Sequence, residues 1–477
     1  MTIWSLAVLL LGLPAFADTP TSLEDVDARG RVAVETAPAF EGPPVVLTGA
    51  TILTATGERL DGGWIALVEG RIEGLGEGAP PEIDGATVLD VTGHFITPGL
   101  IDTHSHLGVY PSPWARAHAD GNEATSPNTA GVWAEHTFWP QDPGIARALA
   151  GGVTTMQVLP GSANLIGGRG VTLRTIPTRG PRAMRFPGAP ETVKLACGEN
   201  PKRVYGERGG PATRMGNLER VRAAFYRARE RAEAWAEHAE AHARWVERTE
   251  AAEEARWPRR AESPGEEPEP PGRDLALETL AGVLDGRVLA QIHCYRADDL
   301  LAMLEVAEEV GFEVRSFHHA SEAYKVREIL AERDVSVSTW ADWWGFKLEA
   351  YDAVPHALGL LTEAGARGVL HSDSAIGIQR LNQEAAKAWR YGLDAGIDLT
   401  EDDALGWITR NAAWALGIDD EVGSLEPGKR ADVVVWDAHP LSVYARARWV
   451  FVDGVLHHDV ARPRIGSDFR VGQEVAP

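Results

Sequence analysis

Two histidines one residue apart, His104 and His106, close an apolar run that begins Phe95-Ile-Thr-Pro-Gly-Leu-Ile-Asp-Thr. On an extended strand, side chains i and i+2 point the same way. The pair therefore converges past the strand's carboxyl end, the geometry for clamping one metal ion. Among 15 histidines a lone His-x-His carries little weight. Its weight comes from what answers it downstream. Further chemistry-bearing groups follow short β-like runs: Glu191-Thr-Val-Lys194, Gln291-Ile-His293, Phe317-His-His319 and Leu370-His-Ser-Asp373. Imidazoles plus a carboxylate suit a borderline dication such as zinc. Lys194 is the odd member, because an ammonium cannot ligate a metal. Either it forms a salt bridge, or it reacts with carbon dioxide to become a carbamate whose two oxygens can bridge two ions.

Those groups need elements to position them. Val153–Leu159, Val288–His293, Glu313–His318, Val335–Thr339 and Gly368–Ser372 read as strands, and helical patterns intervene over Ala297–Val310 and Ala323–Glu332. That alternation predicts a parallel α/β architecture, a (β/α)8 TIM barrel, with a doubly wound sheet as the alternative. In a barrel the chemistry sits at the carboxyl ends of the strands, where these residues fall. Short strands with Gly-rich turns occupy both chain ends, including Val45–Thr54 and Ala431–Trp436. Neither end has enough strands alone, so the two ends are expected to pair into one small β-sandwich domain. The boundaries are 45–92 and 418–459 for its halves and 93–417 for the barrel. An amphipathic helix over Leu218–Trp257 and a Pro-rich linker form a helical insertion at 216–272 on the barrel exterior.

Several broad readings follow from the chain as a whole. A net charge of −23 argues against an electrostatic grip on nucleic acid or anionic lipid. Residues 1–17 read as a signal peptide: a short apolar core, Leu6–Leu13, ends in Ala15-Phe-Ala17 and is too short to span a bilayer as a helix. An uncleaved N-terminal anchor is the competing reading. Residues 18–44 follow as an acidic leader arm, and 460–477 form a tail. The expected location is secreted or periplasmic, with no membrane contact after cleavage. The two cysteines, Cys197 and Cys294, are too few for a disulfide framework and are expected as free buried thiols. The Gly-rich stretch Leu159–Gly168 lacks a Gly-Lys-Ser/Thr ending and reads as a turn over the metal mouth. His118, Asp120 and Glu123 have no matching spacing and read as solvated or structural.

The ordered set of motifs resembles the metal-dependent amidohydrolase superfamily in its two-metal form, over about residues 45–457. It rests on Pro98-Gly-Leu-Ile-Asp-Thr-His-Ser-His106, the later Lys, His, His and Asp, and Gly423-Ser-Leu-Glu-Pro-Gly-Lys-Arg-Ala-Asp-Val-Val-Val435. Lys194-Leu-Ala-Cys-Gly-Glu-Asn-Pro-Lys-Arg203 and Ala341-Asp-Trp-Trp344 are similar to segments of its imidazolonepropionase-like branch. The resemblance implies two divalent metal ions, expected to be zinc. His104, His106 and Asp373 would hold the more buried ion, and His293 and His319 the more exposed one. Lys194 would carry a bridging carbamate. Either His318 or His319 could serve as ligand, and the family pattern, with Glu322 following, favours His319. Asp373 would also handle the proton. The implied reaction is cleavage of a C–N amide bond in a small peptide, an N-acyl amino acid or a cyclic amide, dipeptides being slightly preferred. The competing readings are a heterocycle deaminase, which usually carries a Glu where this chain has Arg296, and a non-catalytic barrel that only binds. For substrate recognition, Arg296 could meet a carboxylate or pair with Asp298 or Asp299. Trp343 and Trp344, with Trp340 and Phe346, could form an aromatic wall, and Tyr295 could stabilise a carbonyl. The partner is a small molecule or dipeptide, and self-association is left open.

Overall fold

The computed structural model describes residues 42–176, 178–254 and 263–462. The signal segment, nearly all of the leader arm and the tail beyond 462 lie outside the described residues. In chain order the strands are β1 (Val45–Leu53), β2 (Arg59–Val68), β3 (Arg71–Gly76), β4 (Thr87–Asp90), β5 (Phe95–Pro98), β6 (Leu100–Ser105), β7 (Val153–Val158), β8 (Ile166–Arg174), β9 (Glu191–Ala196), β10 (Val288–Cys294), β11 (Val314–His319), β12 (Ser336–Thr339), β13 (Gly368–Leu370), β14 (Val433–Trp436), β15 (Ala447–Val452) and β16 (Val455–Asp459).

The two chain ends join as expected. β1–β5 and β14–β16 make one eight-stranded sheet in the order β16-β15-β14-β5-β1-β2-β3, with β4 beside β1. The residues of β14 show why these ends belong together. Val433 and Val435 pack into the core of the terminal sheet with Leu47, Ile65 and Phe451. Val434 and Trp436, on the opposite face, enter the barrel core. An unbroken apolar run is what a strand covered on both faces requires.

β6 to β13 form the barrel sheet, each strand beside its sequence neighbours. β6 and β7 are parallel, as are β9 through β13 in succession. β8 departs from the expected pattern by running antiparallel to both β7 and β9. A parallel crossover needs a dozen or more residues. The Leu159–Leu165 loop is too short for one, so the chain must turn back on itself. The Gly-rich stretch is thus a turn feeding a reversed strand. At its start Gly168 holds φ +114°, where a Cβ would lie 2.5 Å from the Val132 carbonyl oxygen. The barrel closes through groups at its mouth: the Asp373 N–H donates to the His104 carbonyl at 2.9 Å and the Ser372 N–H to Asp102 Oδ1 at 3.0 Å.

Helices cover the strands. Pro143–Ala150 is capped by Asp142, whose side chain accepts from the Gly144 N–H, and Ala297–Val310 ends in a left-handed Gly311. Both devices satisfy groups that a helix end leaves unpaired. The long helix runs over Arg214–Glu254, starting earlier than its apolar stripe suggests, and Trp257 lies outside the described residues. Among the described residues, two compact units are present, one of them residues 229–273. In that unit the Trp245 indole N–H donates to the Gly265 carbonyl at 3.2 Å, and His242 meets Glu267 at 3.4 Å. In the main unit Phe225, from the first half of the helix, stacks on Phe312 at 4.5 Å.

Candidate metal centre

His104, at the end of β6, is fully buried, and Lys194 on β9 lies with its Nζ 3.1 Å from His104 Nε2. Asp373, three residues past β13, places Oδ1 3.3 Å from His106 Nε2 and 3.9 Å from His104 Nε2. Its other oxygen lies 3.8 Å from His319 Nδ1. The His319 ring is 4.8 Å from that of His104 and 4.5 Å from that of His293. The six residues expected to hold metal therefore gather at one mouth of the barrel. Potential ligand atoms of His104, His106 and Asp373 lie within 4.8 Å of one another, as do those of His104, His319 and His371.

Hydrogen bonds decide which nitrogens are free. The Gln291 amide donates to the Ala415 carbonyl at 3.1 Å, which turns Oε1 toward His318 Nε2 at 2.7 Å. His318 must donate there, leaving its Nδ1 an acceptor for the His104 Nδ1–H at 2.9 Å. A neutral imidazole donates through one nitrogen only, so His104 is left with a lone pair on Nε2, facing the centre. His106 reaches the same state by donating Nδ1–H to the Leu159 carbonyl at 2.8 Å. A second partner that fixes the tautomer is the usual support of a ligating histidine. Both nitrogens of His318 are engaged, whereas Nδ1 of His319 and of His293 are buried without a hydrogen-bond partner.

His319 can face the mouth directly after His318 because it leaves the strand at φ +70°. Asp373, at φ +47°, is likewise in the left-handed region, where a side chain is strained. Such strain tends to gather at functional sites.

Burial pushes His104, His293, His318 and His319 well below the ordinary imidazole pKa, with nearby Lys194 among the charges acting the same way. They are neutral at pH 7, the form that binds metal. Burial also lowers Lys194 to about 7. For Asp373, burial opposes ionisation, but His106 carrying a second proton on Nε2, in the place a metal would take, outweighs it through hydrogen bond and field and holds the carboxyl below its usual range. The buried donors with unpartnered nitrogens, the neutral imidazoles and the ionised Asp373 fit a divalent metal site.

The expected substrate-binding residues divide. Tyr295 lies against the centre, stacked on His319 at 5.2 Å, and burial keeps its phenol protonated. Arg296 takes the other role open to it: its guanidinium pairs with Asp298 through two bonds of 2.8 Å at an exposed position. Glu322 accepts the Ala297 N–H at 3.0 Å, tying down the start of the helix after β10. Of the tryptophans, Trp340 meets the centre by stacking on His319 at 4.5 Å. Trp343 stacks on Trp340 at 5.0 Å, and the Trp344 indole N–H donates to the Tyr351 carbonyl at 2.6 Å.

Three features escaped the sequence reading. Cys197 and Cys294 form a disulfide, where free thiols were expected. β9 and β10 are neighbours, and Cys197 follows one as Cys294 ends the other, so adjacency in the sheet brings them within 5.2 Å between Cα atoms. His371, buried beside His319, accepts its backbone N–H at 3.3 Å. It stood inside the Leu370–Asp373 motif, and its position ahead of Asp373 was the available signal. Lys347 lies 3.7 Å above the Tyr295 ring and 3.4 Å from Asn200 Oδ1. Asn200 in turn has its Nδ2 3.4 Å from His293 Nε2. Nothing in the sequence marked Lys347. His118 lies in the loop after β6, packed against Trp139.

The Amidohydrolase family model matches residues 95–456. The chain is 34% identical to the amidohydrolase tasK of Hapsidospora irregularis over 388 residues, 76% of this chain but only 36% of tasK. It is also 56% identical to the imidazolonepropionase of Rhizorhabdus wittichii over 39 residues, 8% of this chain and 10% of that protein. Among solved structures, an amidohydrolase from Thermotoga maritima MSB8 superposes with a TM-score of 0.73 at 34% identity, covering 87% of this chain and all of that one. With the barrel, the convergent histidines and Asp373 in place, the chain belongs to the amidohydrolase family.

Proposed function

We propose that this protein is a binuclear metal-dependent hydrolase that cleaves the C–N amide bond of a small peptide, an N-acyl amino acid or a cyclic amide, dipeptides first among them. The observation that carries the proposal is the convergence of His104 and His106, each with Nδ1 engaged and Nε2 turned inward, with Lys194 and Asp373. His104, His106 and Asp373 would hold one ion, His293 and His319 the other. Two dications there, zinc for instance, would supply a hydroxide nucleophile at neutral pH and draw electron density from a substrate carbonyl. Asp373 takes the nucleophile's proton on a carboxylate oxygen and returns it to the leaving nitrogen as the C–N bond breaks. Tyr295, protonated and beside His319, is placed to donate toward the carbonyl oxygen.

Lys194 supports the bridging role through its amine. At a pKa of about 7 roughly half of it is uncharged at neutral pH. The free amine adds to carbon dioxide, forming an N–C bond and releasing one proton to water, and the product is an anion with two oxygen donors. Arg296, where deaminases of this kind usually carry Glu, weighs against the deaminase reading. Export is proposed on the N-terminal apolar segment and is supported by the disulfide, which persists in oxidising compartments.

The test is a hydrolysis screen of dipeptides and N-acyl amino acids with metal-reconstituted mature protein. Release of a new amine with a new carboxylate is the expected result. Ammonia with no second organic product would favour deamination, and no turnover of any amide would overturn the proposal.

A further inference from the structure

Past β11 and β12 lies an open cavity of about 340 Å³, whose wall includes Ser321, Thr339, Trp340, Trp343, Val354 and Tyr391. Trp340 belongs to both places: it lines the cavity and stacks on His319, so a single indole joins the cavity to the metal centre. Three polar groups on the wall are engaged elsewhere. Thr339 Oγ1 donates to the His319 carbonyl at 2.7 Å and Ser321 Oγ to the Glu349 carbonyl at 3.1 Å. The Trp340 indole N–H donates to the Ser372 carbonyl at 3.1 Å. The one charged wall residue, Asp342, is held by Lys387 at 2.9 Å, and Lys387 is shared with Glu384 at 2.8 Å. Two carboxylates around one ammonium leave that rim negative. A cavity with aromatic walls and its hydroxyls turned to backbone carbonyls takes up apolar surface, and its size is at the small end of the ~300–1,000 Å³ of ligand pockets. It suits one group of a substrate.

On the reading that the centre hydrolyses an amide, we propose that this cavity is a specificity pocket for a large apolar side chain, aromatic above all, carried next to the scissile bond, and that its negative rim disfavours acidic side chains. Aromatic rings prefer offset or edge contacts with other rings, which Trp340 and Trp343 offer.

The test uses metal-reconstituted protein and dipeptides matched except at one residue, with Gly, Phe or Glu placed on either side of the bond. In at least one series, kcat/KM for Phe should exceed that for Gly by tenfold or more, with Glu below Gly. Val354→Phe, which fills the cavity, and Trp343→Ala, which removes part of its wall, should each lower the Phe-to-Gly ratio at least tenfold. A ratio near one in both series, or a ratio indifferent to both variants, would overturn the pocket while leaving the hydrolase reading intact. If no peptide is cleaved, calorimetric titration with N-acetylphenylalanine and N-acetylglycine separates the two ideas. Tighter binding of the aromatic ligand that weakens at least tenfold in Val354→Phe supports the pocket, and equal binding overturns it.

Discussion

Replacing Lys194 by alanine tests the least ordinary residue of the centre. An ammonium of ordinary pKa 10.5 is uncharged in roughly one part in three thousand at pH 7, whereas at about 7 the free amine is near one half. Burial thus raises the reactive amine about a thousandfold, enough for carbon dioxide to capture it reversibly. The same burial makes an uncarbamylated lysine a poor occupant of the centre, since its ammonium would sit 3.1 Å from a histidine aimed at a cation. On the proposed carbamate bridge, Lys194→Ala would leave a gap where its two oxygens would sit. The expected result is loss of at least one ion per chain by mass spectrometry of the metal content and a fall in turnover of about 10² or more, because a metal centre supplies both nucleophile and electrophile. Short carboxylates such as acetate or propionate should partly restore both metal content and turnover by occupying the gap. In the unsubstituted protein, stripping the metals and reloading them without carbon dioxide should give the same deficit, cured by bicarbonate. Full metal occupancy in Lys194→Ala, or reloading indifferent to bicarbonate, would refute the bridge.

Other consequences can be measured alongside. Asp373→Asn should keep the fold and the metals but lower kcat by about 10²–10⁴, the usual worth of a positioned general base, and unchanged turnover would remove Asp373 from proton transfer. Arg296→Ala should alter KM by less than about threefold, because its guanidinium is satisfied by Asp298 at an exposed position; a tenfold rise in KM would show that it anchors substrate after all. Metal-free protein should lose stability as pH falls from 6.5 toward 4. Histidines with lowered folded pKa values stay neutral while the unfolded chain takes up protons, so acid favours unfolding. His371, lowered to about 4, contributes roughly 3 kcal/mol of that loss, while Asp102, raised to about 6 by burial, and Asp432, raised to about 7 by burial, each oppose it by a similar amount. The other buried histidines then set the sign, and urea unfolding that shows no loss between pH 6.5 and 4 would contradict their neutral state.

Much of this centre was legible before any fold was drawn, for reasons that can be named. Most of the expected ligands lay at or just past the end of a β-like run, and a barrel gathers those ends at one mouth; Lys194 sits two residues before the end of β9. Residue type then restricts the chemistry, since imidazole and carboxylate are metal donors. What sequence left open was direction and adjacency. β8 reads as apolar and Gly-rich whichever way it runs, and only the shortness of the Leu159–Leu165 loop forces its reversal. The Cys197–Cys294 pairing follows from β9 lying beside β10, which no spacing of two cysteines reveals. That both nitrogens of His318 are engaged depends on Gln291, held in orientation by the distant Ala415. Lys347 reaches the site from a loop without a motif, and Arg296 had two partners open to it that only geometry could separate.

The most direct test of the centre is anomalous diffraction from crystals of zinc-reconstituted protein. The expected map has two peaks about 3.5–4 Å apart, one bonded to His104, His106 and Asp373 and the other to His293 and His319, with density continuing beyond Lys194 Nζ to both. No peak among these six side chains, in protein shown to carry zinc, would contradict the account.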